Sequence, residues 1–269
     1  MNSIRFIIDL NKDTAFNMAA DQYLFNISAK NQTFYMRFYS WKTPSITLGY
    51  MQKASETLNF SKITTDKASW IRRPTGGRAV FHNGDLTYSC IFPKSFNFMG
   101  DTVRESYAAI TKCLKQGLNN AGVICNSHDS YDELLAVKRD VKLPCFLAPN
   151  RDEIMVNNRK LIGSAQKRGS DSVLQHGSIP ISNAFANLPF YLNINDQDAN
   201  TQKALLTRKC ICLEEINSSI TIASLIQHLI TGFAETLQRN YIIKNWTYEE
   251  QTAIINMAQS ESFINEWLI

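Results

Sequence analysis

Hydrophobic and polar positions along the chain change period several times, and each change marks an element. The opening "SIRFIIDL" reads as a strand. It runs into "TAFNMAADQYLFNISAKN", where Met18, Ala19, Tyr23 and Leu24 form an apolar side with helical spacing and Asp13 or Thr14 can cap the start. "TFYMRFYSW" and "SITLGYM" read as strands, with Lys42-Thr43-Pro44 between them as a turn. Within "SWIRRPTGGRAVFHNGDLTYSCIFP", Trp70 to Arg73 and Arg78 to His82 read as strands around a tight loop from Pro74 to Gly77. Asn83-Gly84 then predicts a hairpin whose return strand is Asp85 to Phe92, because both residues accept positive φ.

Val103, Tyr107, Ile110 and Leu114 recur at helical spacing, with Asp101 or Thr102 as cap and Gly122 beyond the end. "DEIMV", the turn Asn157-Asn158, "RKLIGSAQKR" and "SVLQHGSIPI" predict a three-stranded meander. After Ser182 the pattern turns to short helices and loops, then to two longer helices in "TIASLIQHLITGFAETLQRNY" and "TYEEQTAIINMAQSES". The expectation is an α+β fold, one domain over residues 1–269, on a mixed or largely antiparallel sheet, with 218–269 as its helical C-terminal part.

Composition adds exclusions. The chain has 269 residues, 44% hydrophobic and 19% charged, with net charge +4, and its basic residues are scattered. Nucleic acid is not demanded by that pattern, and an acidic protein partner fits it equally well. No segment is long and apolar enough to span a membrane, and the start lacks a signal-peptide pattern, so a cytoplasmic protein is expected. The six cysteines make no Cys-x-x-Cys pair and no His pair has zinc-ligand spacing, so no metal is expected. Cys210 and Cys212 read as alternating strand residues.

Three groups carry candidate chemistry. "RRPTGGR" puts two glycines in a loop among Arg72, Arg73 and Arg78; it reads either as a backbone cradle for a ligand or as an ordinary turn with solvated arginines. His82 and His176 are each open to a polar structural reading as well as a functional one. Cys145 follows Pro144 in a loop, where a thiol is open to reagents, and a nearby lysine cation would favour its thiolate. Lys160 shares a strand face with Ile162 and Ser164, opposite Leu161, Gly163 and Ala165; it points either into a pocket or, as an edge-strand residue, into solvent.

These motifs, in this order, resemble the lipoate- and octanoate-handling branch of the biotin/lipoate protein ligase family. "RRPTGGRAVFHNGDLTYS" looks like its Arg-Arg-x-x-Gly-Gly signature, "VNNRKLIGSAQKR" like its lysine motif and "VLQHGSIPI" like the strand after it. "NMAADQYL" and "RFYSWKTPSITLGYMQ" match its upstream pattern, so the resemblance runs from about Asn17 to Ile181. Arg78 stands where ATP-dependent ligases of the family usually carry a third glycine, and the helical tail is too short for their accessory domain. Cys145, followed by Phe146 and Pro149, stands where the carrier-protein-dependent octanoyltransferases carry their cysteine. Two departures touch substrate detail: Asn150-Arg151-Asp152-Glu153 replaces a Ser-x-Tyr-Glu type run, and Asn83 replaces a common Asp.

The resemblance implies a central sheet flanked by helices and a cytoplasmic acyltransferase of protein lipoylation. Cys145 and Lys160 would be catalytic, the cysteine as a thioester-forming nucleophile. Arg73, Gly76, Gly77, Arg78, His82, Gly163, Ser164, Ala165 and His176 would bind substrate, with Gly76, Gly77 and Gly163 to Ala165 lining an acyl tunnel and Arg73 and His82 at its mouth. Arg72, Lys167 and Arg168 would form a basic rim. The implied donor is octanoyl-acyl carrier protein, and the implied acceptor is a lipoyl domain such as the glycine cleavage H protein or an E2 subunit. No cofactor is expected. Two alternative reactions stay open, a lipoate ligase using ATP and Mg²⁺ and an amidotransferase moving octanoate between lipoyl domains, with a non-enzymatic binding module as the residual reading.

Overall fold

The computed structural model describes residues 3–127 and 153–268. Strand β1 (Ile4–Lys12) leads into helix α1 (Thr14–Asn31), whose start is fixed by Asp13 Oδ1 accepting from the Phe16 N–H at 2.8 Å. β2 (Phe34–Trp41) and β3 (Ser45–Leu48) follow, then the short helices α2 (Ala54–Thr57) and α3 (Phe60–Thr65), β4 (Ser69–Arg72), β5 (Val80–His82) and β6 (Asp85–Pro93). Helix α4 (Val103–Asn120) begins at a capping box in which the Thr102 hydroxyl and the Glu105 carboxylate satisfy each other's backbone N–H groups. β7 (Asn126–Ser127) precedes the undescribed residues, and β8 (Ile154–Val156), β9 (Arg159–Arg168) and β10 (Ser172–Pro180) follow them. The chain ends in α5 (Asp196–Lys209), α6 (Leu213–Ile216), α7 (Ile222–Leu237), β11 (Tyr241–Ile243), α8 (Tyr248–Gln259) and α9 (Glu261–Trp267).

Eight strands form a mixed sheet in the order β11-β1-β2-β6-β10-β9-β8-β7, and β4-β3-β5 form a second, smaller sheet. β1 runs parallel to both of its neighbours, while β2, β6, β10, β9 and β8 pair antiparallel in succession. On β2, Phe34, Met36 and Phe38 face a core shared with Ile110 and Leu114 of α4 and Leu229 and Phe233 of α7. Tyr35 and Tyr39 face the opposite way, toward Leu24, Phe16 and Met18 of α1. The large sheet is therefore covered on both faces, and α8 and α9 extend the α1 layer through Ile254, Phe263 and Trp267. The small sheet has its own core of Ile46, Leu48, Phe81 and Tyr191.

The long helices and the β8–β9–β10 meander lie where the apolar period puts them. Asn157 and Asn158 both have positive φ, 50° and 58°, as the hairpin between β8 and β9 requires. Asn83-Gly84 does not close a paired hairpin. β5 pairs with β3, and both edges of β6 are taken by β2 and β10, so the turn passes the chain from the small sheet to the large one. Gly84 alone of the two has positive φ, 72°. Cys210 and Cys212 are not strand residues. Cys210 makes one isolated bridge to Lys160 and Cys212 caps α6, and both are buried. The strict alternation expected on β9 is interrupted: Ile154 and Met155 oppose Ile162 and Lys160, so Leu161 is an extra, bulged residue. Leu161 and Ile162 consequently enter the same core. No helix of the described residues is long and apolar enough to cross a membrane.

Candidate active site

A cavity of about 420 Å³, counted with its mouth, opens where the two sheets meet. Met18 of α1, Tyr39 and Trp41 of β2, Thr47 of β3, Val80 and His82 of β5 and Thr87 of β6 form one side. Gly163, Ser164 and Ala165 of β9 and His176, Gly177 and Ser178 of β10 form the other, with Arg73 in the wall. At Gly177 strands β9 and β10 approach too closely for a side chain to fit between them. An added Cβ at Gly177 would stand 2.7 Å from the Gly163 carbonyl oxygen. A concave, mostly apolar space with a few convergent polar groups is the form of a small-molecule site.

Two carboxylate–imidazole–threonine chains stiffen this wall. In the first, His176 Nδ1 lies 3.3 Å from Asp21 Oδ2 and its Nε2 lies 2.6 Å from Thr75 Oγ1. In the second, His82 Nδ1 lies 2.8 Å from Asp85 Oδ2 and its Nε2 lies 3.0 Å from Thr47 Oγ1. In each, one ring nitrogen faces a carboxylate and the other a threonine hydroxyl, so both nitrogens of the imidazole are held. Burial pushes the His176 pKa down, helped by the Arg73 charge and opposed by Asp21. Burial works against ionised Asp21, but the hydrogen bond from His176 and the Arg37 charge outweigh it and hold its carboxyl below the usual range. Beneath, the fully buried Arg37 guanidinium bonds Asp9 at 2.9 Å and Asp21 at 3.0 Å, and Ser89 donates to Asp21 at 2.7 Å. Trp41 stacks on His82 with ring centroids 4.3 Å apart, and its indole N–H donates to Thr87.

Both chains converge on Arg73. Its Nε donates to Thr75 Oγ1, its Nη1 to the Thr47 carbonyl, and its Nη2 to the carbonyls of Gly76 and Arg78, both at 2.8 Å. The guanidinium therefore folds the Gly-rich loop around itself. It is buried, 4% exposed, as is His82, so neither stands at the cavity mouth. Of the residues expected to bind substrate, Arg73, His82, Gly163, Ser164, Ala165 and His176 come together in one wall. Gly76 and Gly77 do not line it. Both are exposed on the outside of the loop, and Gly77 and Arg78 face a neighbouring cleft instead.

Lys160 is neither an edge residue nor exposed. β9 has β8 and β10 beside it, the side chain is 6% exposed, and Nζ is 2.5 Å from Glu153 Oε1. It lies three residues along β9 from Gly163. The expected basic rim is divided. Arg72 donates to the Glu266 carbonyl at α9, Arg168 to the Asp101 and Thr102 carbonyls before α4, and Lys167 lies over the Phe25 ring of α1. Cys145 and the departure at 150–152 lie outside the described residues. Sequence reading passed over Asp21, Thr47, Thr75 and Asp85. The signal available for Asp21 was a carboxylate inside the apolar run of α1.

A family model described as the lipoyl protein ligase A/B catalytic domain matches residues 13–234. The chain belongs to this family. Octanoyltransferase LipM of Bacillus cereus is 33% identical over 260 residues, covering 94% of this chain and 93% of the relative. The Carboxydothermus hydrogenoformans octanoyltransferase LipM is also 33% identical, over 273 residues, covering 100% of this chain and 99% of the relative. Lipoate-protein ligase A bound with ATP superposes with TM-score 0.76 at 19% identity, over 97% of this chain and 95% of that one. A bipartite lipoate protein ligase of Thermoplasma acidophilum superposes with TM-score 0.78 at 18% identity, over 98% and 96%. At those identities the structures establish the shared fold, a mixed sheet flanked by helices. With the octanoyltransferase relatives matched along their whole length, this member of the lipoyl protein ligase family is an acyltransferase.

Proposed function

We propose that the chain moves an octanoyl group from octanoyl-acyl carrier protein to the lysine of a lipoyl domain, such as the glycine cleavage H protein, through a thioester on Cys145. The observation that carries this reading is the end-to-end similarity to octanoyltransferases. The Cys145 thiolate attacks the donor thioester carbonyl, the bond to the carrier sulfur breaks, and the carrier thiol leaves with a proton. The acceptor lysine amine then attacks the Cys145 thioester, an amide forms, a proton is lost and Cys145 is regenerated. Thioester exchange is nearly isoenergetic and amide formation is downhill, so no nucleotide is needed. Lys160, paired with Glu153, would favour the thiolate and steady the tetrahedral oxyanion. The cavity between His82, His176 and Gly163 to Ala165 would hold the acyl chain, in a single catalytic domain working in the cytoplasm.

The described thiols support a nucleophile elsewhere. Burial pushes Cys113 and Cys210 up to about 12, Cys125 up to about 11, and Cys90 and Cys212 up as well. Each is therefore almost entirely protonated at neutral pH.

Intact-protein mass spectrometry after mixing with octanoyl-carrier protein, without ATP or acceptor, tests the reading. An octanoyl adduct that hydroxylamine removes and that Cys145→Ala lacks is expected. No adduct, with transfer only when ATP is added, would make the chain a ligase. An adduct formed only from an octanoylated lipoyl domain would make it an amidotransferase.

A further inference from the structure

A second opening among the described residues belongs to no function described so far. It is a cleft of about 1180 Å³, counted with its mouth, on the outer side of the Gly-rich loop. Gly77, Arg78 and Ala79 line it from the loop, and Gln52, Lys53 and Glu56 line it from the segment before and within α2. Arg73 has already drawn the Gly76 and Arg78 carbonyls inward. No described peptide is cis, and in a trans peptide the N–H points opposite to the carbonyl. The amides of Gly77 and Ala79 are therefore turned away from Arg73, on the side where those residues line the cleft. Backbone amides presented from a glycine loop attract anions.

The side chains agree with the backbone. The half-buried Arg78 guanidinium makes no hydrogen bond or ion pair among the described residues, only its carbonyl being engaged. Lys53 is paired with Glu56 at 2.9 Å, but both are more than two-thirds exposed, and such a pair is readily exchanged for a stronger anion. The segment that forms this wall continues directly into Val80, which lines the cavity. Only Ala79 separates Arg78 from Val80, about 7 Å for two steps of roughly 3.3 Å. An anion held at Arg78 would therefore stand close, along the chain, to the cavity wall at Val80.

We propose that this cleft is a phosphate-ester site that anchors the phosphopantetheine arm of the acyl donor, with Arg78 and the Gly77 amide as its anion contacts and Lys53 at its edge. The assignment rests on the thioester donor proposed above. The ligand chemistry is shared by the carrier-protein arm, coenzyme A and a nucleotide phosphate, and a binding measurement separates the site from the reaction.

Ligand-observed NMR titration would compare 4′-phosphopantetheine, pantetheine and adenosine monophosphate on the wild-type chain and on Arg78→Ala, with thermal unfolding to confirm that the variant is folded. The wild type should bind phosphopantetheine about tenfold or more tighter than pantetheine, and Arg78→Ala should lose most of that advantage. Arg78→Lys, which keeps the charge but not the fork, should keep part of it. Equal affinity for the two arms, or an advantage that survives Arg78→Ala, would overturn the site. Tighter binding of adenosine monophosphate than of phosphopantetheine, with the same dependence on Arg78, would overturn the arm in favour of a nucleotide. Octanoyl transfer is scored separately: a chain that binds phosphopantetheine but forms no acyl adduct keeps the site and loses the proposed function.

Discussion

Gly49→Ala isolates the placement of the Gly-rich loop from everything else. Gly49 has no need of positive φ. Its requirement is distance. An added Cβ would stand 1.9 Å from the Gly77 carbonyl oxygen and 2.7 Å from its carbon. Restoring an ordinary contact of about 3.4 Å moves the loop by roughly 1.5 Å, since backbone cannot rotate out of the way as a side chain can. Gly76 and Gly77 are exposed, so the loop yields toward solvent and the core stays intact. The stability cost should fall at the low end of the ~1–3 kcal/mol typical of overpacking. At roughly 2–4 °C per kcal/mol for a chain of this size, Tm should drop by only a few degrees. Activity should fall much further. The displaced carbonyls leave Arg73, which anchors Thr75 and through it His176. A misplacement of ~1 Å in a reacting geometry costs on the order of 10²-fold. Steady-state octanoyl transfer to a lipoyl domain, measured beside thermal unfolding, would read both. Activity within threefold of wild type would refute the idea that this contact sets the loop. Loss of folding would show that the contact belongs to the core.

Arg37→Met should cost about 3–5 kcal/mol in denaturant unfolding, because it strands the buried carboxylates of Asp9 and Asp21. A loss below about 1 kcal/mol would mean those carboxylates find other partners or take up protons cheaply. His176 gives a pH signature: its folded pKa is lowered, so the unfolded chain binds the proton first as pH falls. Its contribution is complete above the unfolded value of about 6.5 and declines below it, by at most ~1.4 kcal/mol per pH unit until the folded pKa is passed. Urea unfolding of wild type and His176→Gln between neutral pH and pH 5 should show a shallower slope in the variant, and equal slopes would count against a neutral buried ring.

Much of the fold could be read locally. α1, α4 and α7 have their lengths and starts written in apolar spacing and in the caps Asp13, Thr102 and Thr221. The Asn157-Asn158 hairpin follows from two residues that tolerate positive φ. The exposed strand β11 escaped notice because three residues carry too little period to register. The site was legible as motifs, and the wall formed by Arg73, His82, Gly163 to Ala165 and His176 is made from them. Its inner supports were not legible, since Asp21 and His176 meet across 155 positions and Ser89 reaches Asp21 across 68.

The sequence alone determined the helices, the meander, the glycine loop, the order of the family's motifs and the exclusion of a membrane-spanning helix. Those features depend on contacts within a turn or two, which neighbouring residues decide among themselves. Tertiary structure alone decided that β5 leaves β6 for β3, that Leu161 bulges, that Arg73 spends its charge on the loop's carbonyls, and that Arg78 and Gly77 face a separate cleft. Each of these is a choice between partners distant in the chain, settled by which edges are already occupied and which polar groups are already satisfied once the sheets have formed.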